Sequence, residues 1–269
     1  MPAPAPARVL TLAGAQVEVF HDSATAALAA AERMARTIRA TVAERGRAVL
    51  GLATGGSPKP VYARLVALHR EGALSFKDVT TYNLDEYYPV SPLDPRSYHA
   101  YMHEHLFSLV DIAPNSAHVL DGTVPPMSAL GHAEEYERWI EWDGGLDLQL
   151  LGLGRNGHIG FNEPDELRSA AEVLKLPGRM VPLHPTTLLD HLQDFGGDES
   201  KVILFALTIG IAAILAARSI LVLAFGPHKA EAVARSLNGP IDPEMPGSFL
   251  QKAAGKVTWM LDEAAARGL

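Results

Sequence analysis

The chain has 269 residues, of which 48% are hydrophobic and 20% are charged, a length and composition that suit one large domain with a substantial core. Its 23 basic and 31 acidic residues give a formal net charge of −8, which argues against the basic surface that nucleic-acid binding requires. The chain contains no cysteine, which excludes disulfides, thiolate metal sites and a cysteine nucleophile and is compatible with a cytoplasmic location.

The N-terminal segment MPAPAPAR lacks a basic region followed by an apolar run, so it does not resemble a signal peptide. We expect residues 1–8 to form a flexible tail and residues 9–269 to form a single α/β domain. Beyond the tail, short apolar runs alternate with segments of helical period, which is typical of a parallel sheet covered by helices. The sequence therefore predicts a Rossmann-like, mostly parallel sheet with helices on both faces.

The predicted elements begin with an Ala-rich helix, which Asp22 and Ser23 can cap and which reaches about Ala43. The elements after it are, in chain order, a strand at 48–53, a helix whose first turn contains Pro58 and Pro60, a strand at 79–83, helices at 97–106 and 129–140, a strand at 146–153, a strand at 220–225, a helix at 228–237 and a strand at 257–261.

The apolar stretch at 202–226 has the composition of a membrane span but not the length. Arg218 and Ser219 interrupt it after sixteen residues. A span needs roughly 20 apolar residues. We therefore expect a buried helix that ends near Ala217, followed by the strand at 220–225, and no membrane association.

In sheets of this kind ligands bind beyond the carboxyl ends of the strands, so the segments that follow strands are candidate sites. The first is ATGGSPKP at 53–60, where two glycines allow a tight turn and place backbone N–H groups near the N-terminus of a helix. The alternative is an ordinary Gly-Gly turn between a strand and a helix. The candidate phosphate-binding residues are Thr54, Gly55, Gly56 and Ser57.

Two further segments carry charged residues after predicted strands. Asp85 and Glu86 follow the strand at 79–83, where neighbouring acids can point to opposite sides, and Asp85 is a candidate general base. The alternative is that the acidic pair forms a cap or a solvated turn. Lys229 enters the first turn of the helix at 228–237, where a cation is unfavourable to the helix dipole unless an anion binds nearby. The alternative there is a surface lysine.

The segment GLGRNGHIGFNEP at 152–164 matches the G-x-G-x-x-G pattern of dinucleotide-binding turns. Such a turn must lead into a helix, whereas HIGFNEP has no helical period and Pro164 ends regular structure, so the dinucleotide interpretation fails. The glycines instead deliver Asn156, His158 and Glu163 to one strand end. Because imidazole titrates near neutrality and its neighbours can fix its tautomer, we predict acid–base chemistry at His158.

The segments TGGSP, NLDEY, SYHAYM, GRNGHIGFNEP, ALTIG and GPHKA occur in this order, and together they resemble the glucosamine-6-phosphate deaminase family, within a wider family that includes 6-phosphogluconolactonases. The resemblance covers roughly residues 48–251. The FNEP continuation after the histidine motif favours the deaminase branch, because the lactonase branch continues differently there.

The resemblance implies a hydrolase acting on an amino sugar phosphate, which converts glucosamine 6-phosphate to fructose 6-phosphate and ammonia without a metal or an organic cofactor. It implies that Asp85 moves a proton between C2 and C1 of the opened sugar and that His158 serves ring opening. Asn156 and Glu163 would orient and polarise that imidazole. Lys229 and the turn at 54–57 would hold the phosphate, which fixes the sugar for this proton transfer.

The chain departs from the resembled family at two places. Position 156 is Asn156, where many members carry aspartate, so the charge beside the imidazole would come from Glu163. A phosphate-binding arginine of the family falls near Gln193 here, and Lys175 or Arg179 are the candidates to replace it. Because the same segment makes allosteric contacts in regulated members, allosteric control is not expected.

A metal site is not expected either. His99, His103 and His105 include an i, i+4 pair but no third ligand at a suitable spacing. The predicted partner is a small-molecule phosphosugar, with neither nucleic acid nor membrane, and a homo-oligomer is left open. Two functional alternatives stand beside the deaminase: a 6-phosphogluconolactonase-like hydrolase, in which His158 activates water, and a non-catalytic sugar-phosphate-binding module.

Overall fold

The computed structural model describes residues 3–194 and 196–269, which form two sheets flanked by helices. The strands are β1 (Arg8–Leu12), β2 (Ala15–Phe20), β3 (Ala48–Leu52), β4 (Val79–Asn83), β5 (Asp85–Tyr88), β6 (Ala117–His118), β7 (Leu148–Gly152), β8 (Arg179–Pro182), β9 (Phe205–Thr208), β10 (Ile220–Ala224) and β11 (Val257–Asp262). The α-helices are α1 (Ser23–Arg45), α2 (Lys59–Arg70), α3 (Tyr98–His105), α4 (Pro126–Trp142), α5 (Ala170–Val173), α6 (Pro185–Asp194), α7 (Ile211–Ala216) and α8 (Ala230–Asn238). Segments of 3₁₀ helix lie at Phe107–Leu109, Pro114–Ser116, Glu199–Lys201, Pro227–Lys229 and Pro246–Lys256.

The large sheet has the strand order β1-β2-β11-β10-β7-β3-β4-β6. Its pairs are parallel except for the antiparallel hairpin of β1 and β2 at one edge. The chain adds β4 on one side of β3 and later adds β7 on the other side, so the strand order reverses between β3 and β7. Such a reversal opens a crevice at the carboxyl ends of the strands, which is where ligands bind in open α/β sheets.

The helices pack on both faces of this sheet. On one face, residues of α1, α2 and α3 form a core with Phe20, Met34 and Tyr62, all at most 1% exposed. On the other face, residues of α4, α7 and α8 form a second core with Tyr136 and Trp259. Fully burying one such side chain contributes roughly 1.5–3 kcal/mol. The predicted fold class, a mostly parallel Rossmann-like sheet with helices on both faces, is therefore confirmed.

A second, antiparallel sheet has the order β5-β9-β8 and is absent from the sequence prediction. Only Leu84 separates β4 in the large sheet from β5 in the small one. Asp85 pairs with Thr208 of β9, and this pairing fixes the position of the first residue of β5. The small sheet thus carries the predicted base away from the end of β4 and holds it at the crevice.

The apolar stretch at 202–226 differs from its prediction. In place of one buried helix it contains the strand β9 and the short helix α7, with Gly210 as the N-cap between them. A short apolar run suits a buried strand as well as a buried helix, and here pairing with β5 and β8 decides for the strand. In the described residues we find no helix long and apolar enough to cross a membrane.

Predicted boundaries agree with the structure where a cap marks them. The helix α1 follows Asp22, whose carboxylate accepts a hydrogen bond from the backbone N–H of Thr25 at 2.7 Å, and ends at Arg45. Gly46, with φ 78°, terminates it. The hairpin of β1 and β2 is absent from the prediction, and Arg8, which the prediction places in the tail, is the first residue of β1.

Candidate active site

A cavity of about 480 Å³ lies at the carboxyl ends of β3, β7 and β10 and at the start of β5, beside the point where the strand order reverses. The predicted site residues that line it are Thr54, Gly55, Gly56, Ser57, Asp85, His158 and Lys229. Asn156 and Glu163 lie outside this lining and contact His158. The fold therefore brings together the four segments that the sequence analysis selects.

The turn between β3 and α2 places backbone donors at one end of the cavity. Gly55 has φ 95°, a conformation that favours glycine. The hydroxyl of Tyr101 donates a hydrogen bond to the carbonyl oxygen of Gly55 at 2.7 Å. In the described residues, the backbone N–H groups of Gly55, Gly56 and Ser57 donate to no acceptor. These donors, near the N-terminus of α2, are suited to an anion such as a phosphate.

Asp85 and Glu86 point to different surroundings although they are adjacent. Glu86 accepts hydrogen bonds from the hydroxyl of Ser97 at 2.6 Å and from the backbone N–H groups of Tyr98 and His99 at 2.8 and 3.0 Å, so it caps α3. Asp85 is 6% exposed and lines the cavity. Burial, with the charge of Glu86 adding to it, holds the pKa of Asp85 well above its usual value. A carboxylate with a raised pKa is suited to accept a proton near neutral pH.

The turn after β7 needs its glycines for packing. A Cβ at Gly154 would overlap the imidazole ring of His158, so that ring lies directly against the backbone of the turn. Gly157 has φ 87°, and a Cβ there would overlap the sulfur of Met245. After this turn the chain forms an isolated bridge between Ile159 and Asn162. No helix begins there, which agrees with the rejection of a dinucleotide-binding turn.

His158 has an ionised partner. Its Nδ1 lies 3.3 Å from Oε2 of Glu163 and 3.3 Å from the hydroxyl of Thr187. Burial alone would raise the pKa of Glu163, but the charge and hydrogen bonding of His158, Thr187 and Asn156 lower it to about 2. Glu163 is therefore ionised near neutral pH and favours a proton on Nδ1, which leaves Nε2 of His158 for a ligand.

Asn156 supports this pair without touching the ring. Its side-chain amide donates a hydrogen bond to Oε2 of Glu163 at 2.8 Å and accepts one from the backbone N–H of His158 at 3.2 Å. An amide can thus orient the carboxylate although it supplies no charge. The charge beside the imidazole comes from Glu163.

Lys229 follows β10 and is the N-cap residue of α8. Burial lowers the pKa of its ammonium group, while Asp190 raises it and Arg155 lowers it further. All three side chains line the cavity. A half-buried cation in the cavity that the Gly55 turn also lines is suited to a phosphate.

The helix α6 contributes three cavity residues that are not among the predicted site residues. Thr187, Asp190 and His191 of this helix line the cavity, at an i, i+3, i+4 spacing that places them on one face. Nε2 of His191 lies 2.9 Å from the hydroxyl of Tyr87, and burial lowers the pKa of His191 to about 4, so it is neutral at pH 7. That helical spacing is the one sequence signal from which these residues could have been found.

The candidates to replace an arginine near Gln193 do not line the cavity. Gln193 is exposed on α6, and Lys175 follows α5 away from the lining. Arg179 donates hydrogen bonds to the side-chain oxygen of Asn162 at 3.0 Å and to the carbonyl oxygen of Pro177 at 3.3 Å, so it braces the loop after His158. Neither replacement is supported. The arginines that line the cavity are Arg96 and Arg155. Arg96 is paired with Asp94 at 2.6 Å.

The histidines of α3 do not assemble a metal site in the described residues, where no three histidine or carboxylate side chains are grouped to hold an ion. The centroids of the His99 and His103 rings lie 4.7 Å apart, and the ring planes are tilted by 40°.

The chain matches known proteins over most of its length. Residues 21–175 match the family described as glucosamine-6-phosphate isomerases/6-phosphogluconolactonase. A glucosamine-6-phosphate deaminase of Rhodopirellula baltica is 46% identical over 91% of this chain and 92% of its own length, and one of Bacillus velezensis is 42% identical over 88% and 94%. These matches confirm the resemblance drawn from the sequence motifs.

Solved structures show the same relationship. A monomeric glucosamine-6-phosphate deaminase is 38% identical, covers 94% of this chain with 99% of its own, and superposes with a TM-score of 0.85. A 6-phosphogluconolactonase from Trypanosoma brucei is 21% identical, covers 94% with 98% of its own chain, and has a TM-score of 0.72, which shows a shared fold.

The expected hydrolase class is wrong. The relatives are deaminases and the family is described by isomerases, so the chain groups with an isomerising deaminase and not with simple hydrolases. The chemical reason is that an aldose-to-ketose shift moves a carbon-bound proton within the sugar before nitrogen leaves. Hydrolysis of a lactone has no such step.

Proposed function

Because the chain belongs to the glucosamine-6-phosphate isomerase/6-phosphogluconolactonase family, we propose that it converts glucosamine 6-phosphate and water to fructose 6-phosphate and ammonia. The observation that carries the proposal is the placement of Asp85, a buried carboxyl with a raised pKa, in one cavity with His158 and the anion-binding turn at 54–57. Isomerisation of a sugar phosphate needs such groups: a site that fixes the phosphate, an imidazole that opens the ring and a base that moves a proton on carbon.

Substrate binding uses one end of the cavity. The backbone N–H groups of Gly55, Gly56 and Ser57, the Thr54 side chain and the ammonium group of Lys229 bind the phosphate. Holding this group fixes C1 and C2 of the sugar relative to the residues at the other end.

His158 opens the ring. It moves a proton between the C1 hydroxyl and the ring oxygen through Nε2, while Nδ1 faces the carboxylate of Glu163. The negative charge of Glu163 stabilises the imidazolium that forms during this transfer, and Asn156 keeps the carboxylate in place.

Asp85 performs the isomerisation. It removes the proton from C2 of the open-chain aldehyde while the ammonium group of the substrate gives a proton to O1, which yields a neutral enolamine. Asp85 then returns its proton to C1, which leaves an iminium group at C2. Water adds to that carbon, and the C–N bond breaks to release ammonia and form the ketone. The side chains end in their starting protonation states, because each proton that a side chain takes is returned in a later step.

The proposal includes a cytoplasmic location, since the charge of a phosphorylated sugar retains it inside cells. The substrate is the only partner that it requires, and a homo-oligomer stays a prediction for this chain.

The test is ammonia release from glucosamine 6-phosphate by the purified protein, with hydrolysis of 6-phosphogluconolactone as the parallel assay. We expect ammonia from the wild type and a fall in kcat of roughly 10²- to 10⁴-fold in Asp85→Asn, the usual contribution of a general base. Asp78→Asn, which removes an exposed carboxylate outside the cavity, is the matched control and should keep wild-type activity.

Two results would contradict the proposal. One is lactone hydrolysis without ammonia release, which would favour the lactonase alternative because that reaction needs no base at carbon. The other is tight binding of the sugar phosphate without turnover of either substrate, which would favour a binding module.

A further inference from the structure

Arg155 is a cavity residue that the sequence analysis passes over. It lies in the turn after β7, and its Nη2 is 2.8 Å from Oδ1 of Asp190 and 3.4 Å from the carbonyl oxygen of Thr186, both on α6. Among the residues that the structure describes, Nη1 and Nε of Arg155 have no hydrogen-bond partner. One edge of the guanidinium is therefore occupied by α6, and the other edge is available to a ligand.

Arg155 lies at the same end of the cavity as Lys229. Both line it, and the two cations are close enough that Arg155 depresses the pKa of the Lys229 ammonium group while Asp190 raises it. Two cations and one carboxylate leave this end with one net positive charge. A sugar phosphate brings a charge of about −1.5 to −2, so a second cation beside Lys229 brings the charge at this end closer to balance.

The carboxylate of Asp190 would repel a phosphate if nothing lay between them. A guanidinium has five N–H donors in a rigid fork and binds anions along more than one edge, which a lysine cannot do. The observed contact uses Nη2 only. Arg155 can therefore hold Asp190 and a phosphate at once and separate their charges.

We propose that Arg155 binds the phosphate group of the substrate through its Nη1 and Nε edge, and that Asp190 is the positioning residue that orients it. The inference rests on the proposed function for the identity of the sugar. It assigns the second phosphate-binding cation to the turn that carries His158, in place of a residue of the segment around Gln193.

The arrangement also connects substrate recognition to His158. The helix α6 that holds Arg155 through Asp190 also carries Thr187, whose hydroxyl lies 3.3 Å from Nδ1 of His158. Arg155 and the imidazole of His158 therefore contact the same helix.

The experiment measures the dissociation constant of inorganic phosphate by calorimetry, without turnover, and KM and kcat for glucosamine 6-phosphate in the same variants. For Arg155→Ala we expect phosphate binding about 10- to 100-fold weaker and a KM raised by a similar factor, as for loss of a charge-assisted hydrogen bond. The value of kcat should change by less than about threefold, because Arg155 does not touch the reacting carbons. The phosphate affinity and the KM of Arg155→Lys should lie between those of the wild type and Arg155→Ala, because lysine keeps the charge but lacks the forked donors of the guanidinium.

Variants of Asp190 test its positioning role. Asp190→Asn keeps an oxygen acceptor for Nη2 and removes the charge, so it should bind phosphate at least as tightly as the wild type. Asp190→Ala removes both and should bind phosphate several-fold more weakly. In the Arg155→Ala background, Asp190→Ala should no longer weaken phosphate binding and should partly restore it, because it removes a carboxylate that Arg155 no longer shields.

The matched control is Arg168→Ala, which breaks a surface Arg–Asp pair with Asp165 at 2.6 Å outside the cavity and should leave phosphate binding unchanged. Phosphate binding in Arg155→Ala within twofold of the wild type, in a variant that unfolds at the wild-type temperature, would overturn the inference. So would a wild type that does not bind phosphate. Weakened phosphate binding in Arg155→Ala, in a wild type that releases no ammonia, would support the site and reject the proposed substrate.

Discussion

Two carboxyl groups in different regions of the site are both mostly buried and yet have pKa values shifted in opposite directions. Asp85, at the start of β5, has its pKa raised by burial and by Glu86. Glu163, in the turn after β7, has its pKa lowered to about 2, because His158 and two further donors outweigh its burial. Burial by itself therefore does not fix the ionisation of a carboxyl group; its donors do. The difference suits Asp85 to its proposed role as a base that exchanges protons, and it suits Glu163 to keep its charge.

The largest expected effect is on the acid side of the pH profile. Asp85 must be ionised to accept a proton, so kcat should fall about tenfold for each pH unit below its raised pKa. Glu163 stays ionised down to about pH 2 and adds no loss above that pH. Measurement of kcat from about pH 4 to about pH 9 checks this. The fall in kcat at low pH should persist in Glu163→Gln. A kcat that does not depend on pH over that range would contradict the role of Asp85.

The next effect is on stability. Ionisation of the two carboxyl groups should change the free energy of unfolding in opposite directions. The lowered pKa of Glu163, from 4.5 to about 2, makes its ionised form stabilise the fold by roughly 3 kcal/mol at pH 7. This contribution is present above the unfolded pKa and is lost as pH falls toward about 2. The raised pKa of Asp85 has the opposite consequence: folded protein binds that proton more tightly, so its ionisation costs stability as pH rises.

Unfolding in urea at pH 7 tests this contrast. Asp85→Asn should raise the free energy of unfolding although it removes activity, and Glu163→Gln should lower it. The control Asp78→Asn should change it by less than about 0.5 kcal/mol, as is usual for a surface site. Destabilisation of similar size by Asp85→Asn and Glu163→Gln would show that the two carboxyl groups do not differ in this way.

Glu163→Gln should also slow the reaction, because it removes the negative charge beside Nδ1 of His158. Loss of a charge-assisted hydrogen bond corresponds to a fall in kcat of roughly 10- to 100-fold. The fall should be smaller for an open-chain substrate analogue, which needs no ring opening. An equal loss on both substrates would place Glu163 in a later step.

The smallest effect is expected from Asn156→Asp. This change replaces the donor that lies 2.8 Å from Glu163 with a second carboxylate, which raises the pKa of Glu163 and weakens the fold on the acid side. We expect kcat to change by less than about tenfold at pH 8, where the contact between His158 and Glu163 is intact. Acid unfolding followed by circular dichroism should begin at a higher pH than in the wild type, and an unchanged midpoint would argue against the contact.

The sequence predicts the parallel core well because its strands are short, continuous apolar runs bounded by turn residues. The strands β3 and β10 are placed within one residue for that reason. The sheet of β5, β8 and β9 escapes prediction because its strands have only four residues each, and because β5 pairs with a strand more than a hundred residues later in the chain. Its Phe205–Thr208 strand also shares an apolar run with α7, which hides its period.

The candidate site divides in the same way. Glycine-rich turns and acids after strands are local signals, and they lead to the turn at 54–57, Asp85 and His158. The contact of Arg155 with Asp190 joins a turn to a helix 35 positions later, so no spacing in the sequence announces it. The sequence does not distinguish the adjacent acids Asp85 and Glu86. Only the position of α3 shows that Glu86 caps a helix while Asp85 faces the cavity.

The central claim, that Asp85 moves a proton on carbon, is tested most directly by running the reaction in deuterium oxide and locating deuterium in the sugars by NMR. We predict label at C1 of fructose 6-phosphate with the wild type and with Asp78→Asn, and none above background with Asp85→Asn. Carbon-bound label formed by Asp85→Asn at the wild-type rate would contradict the account.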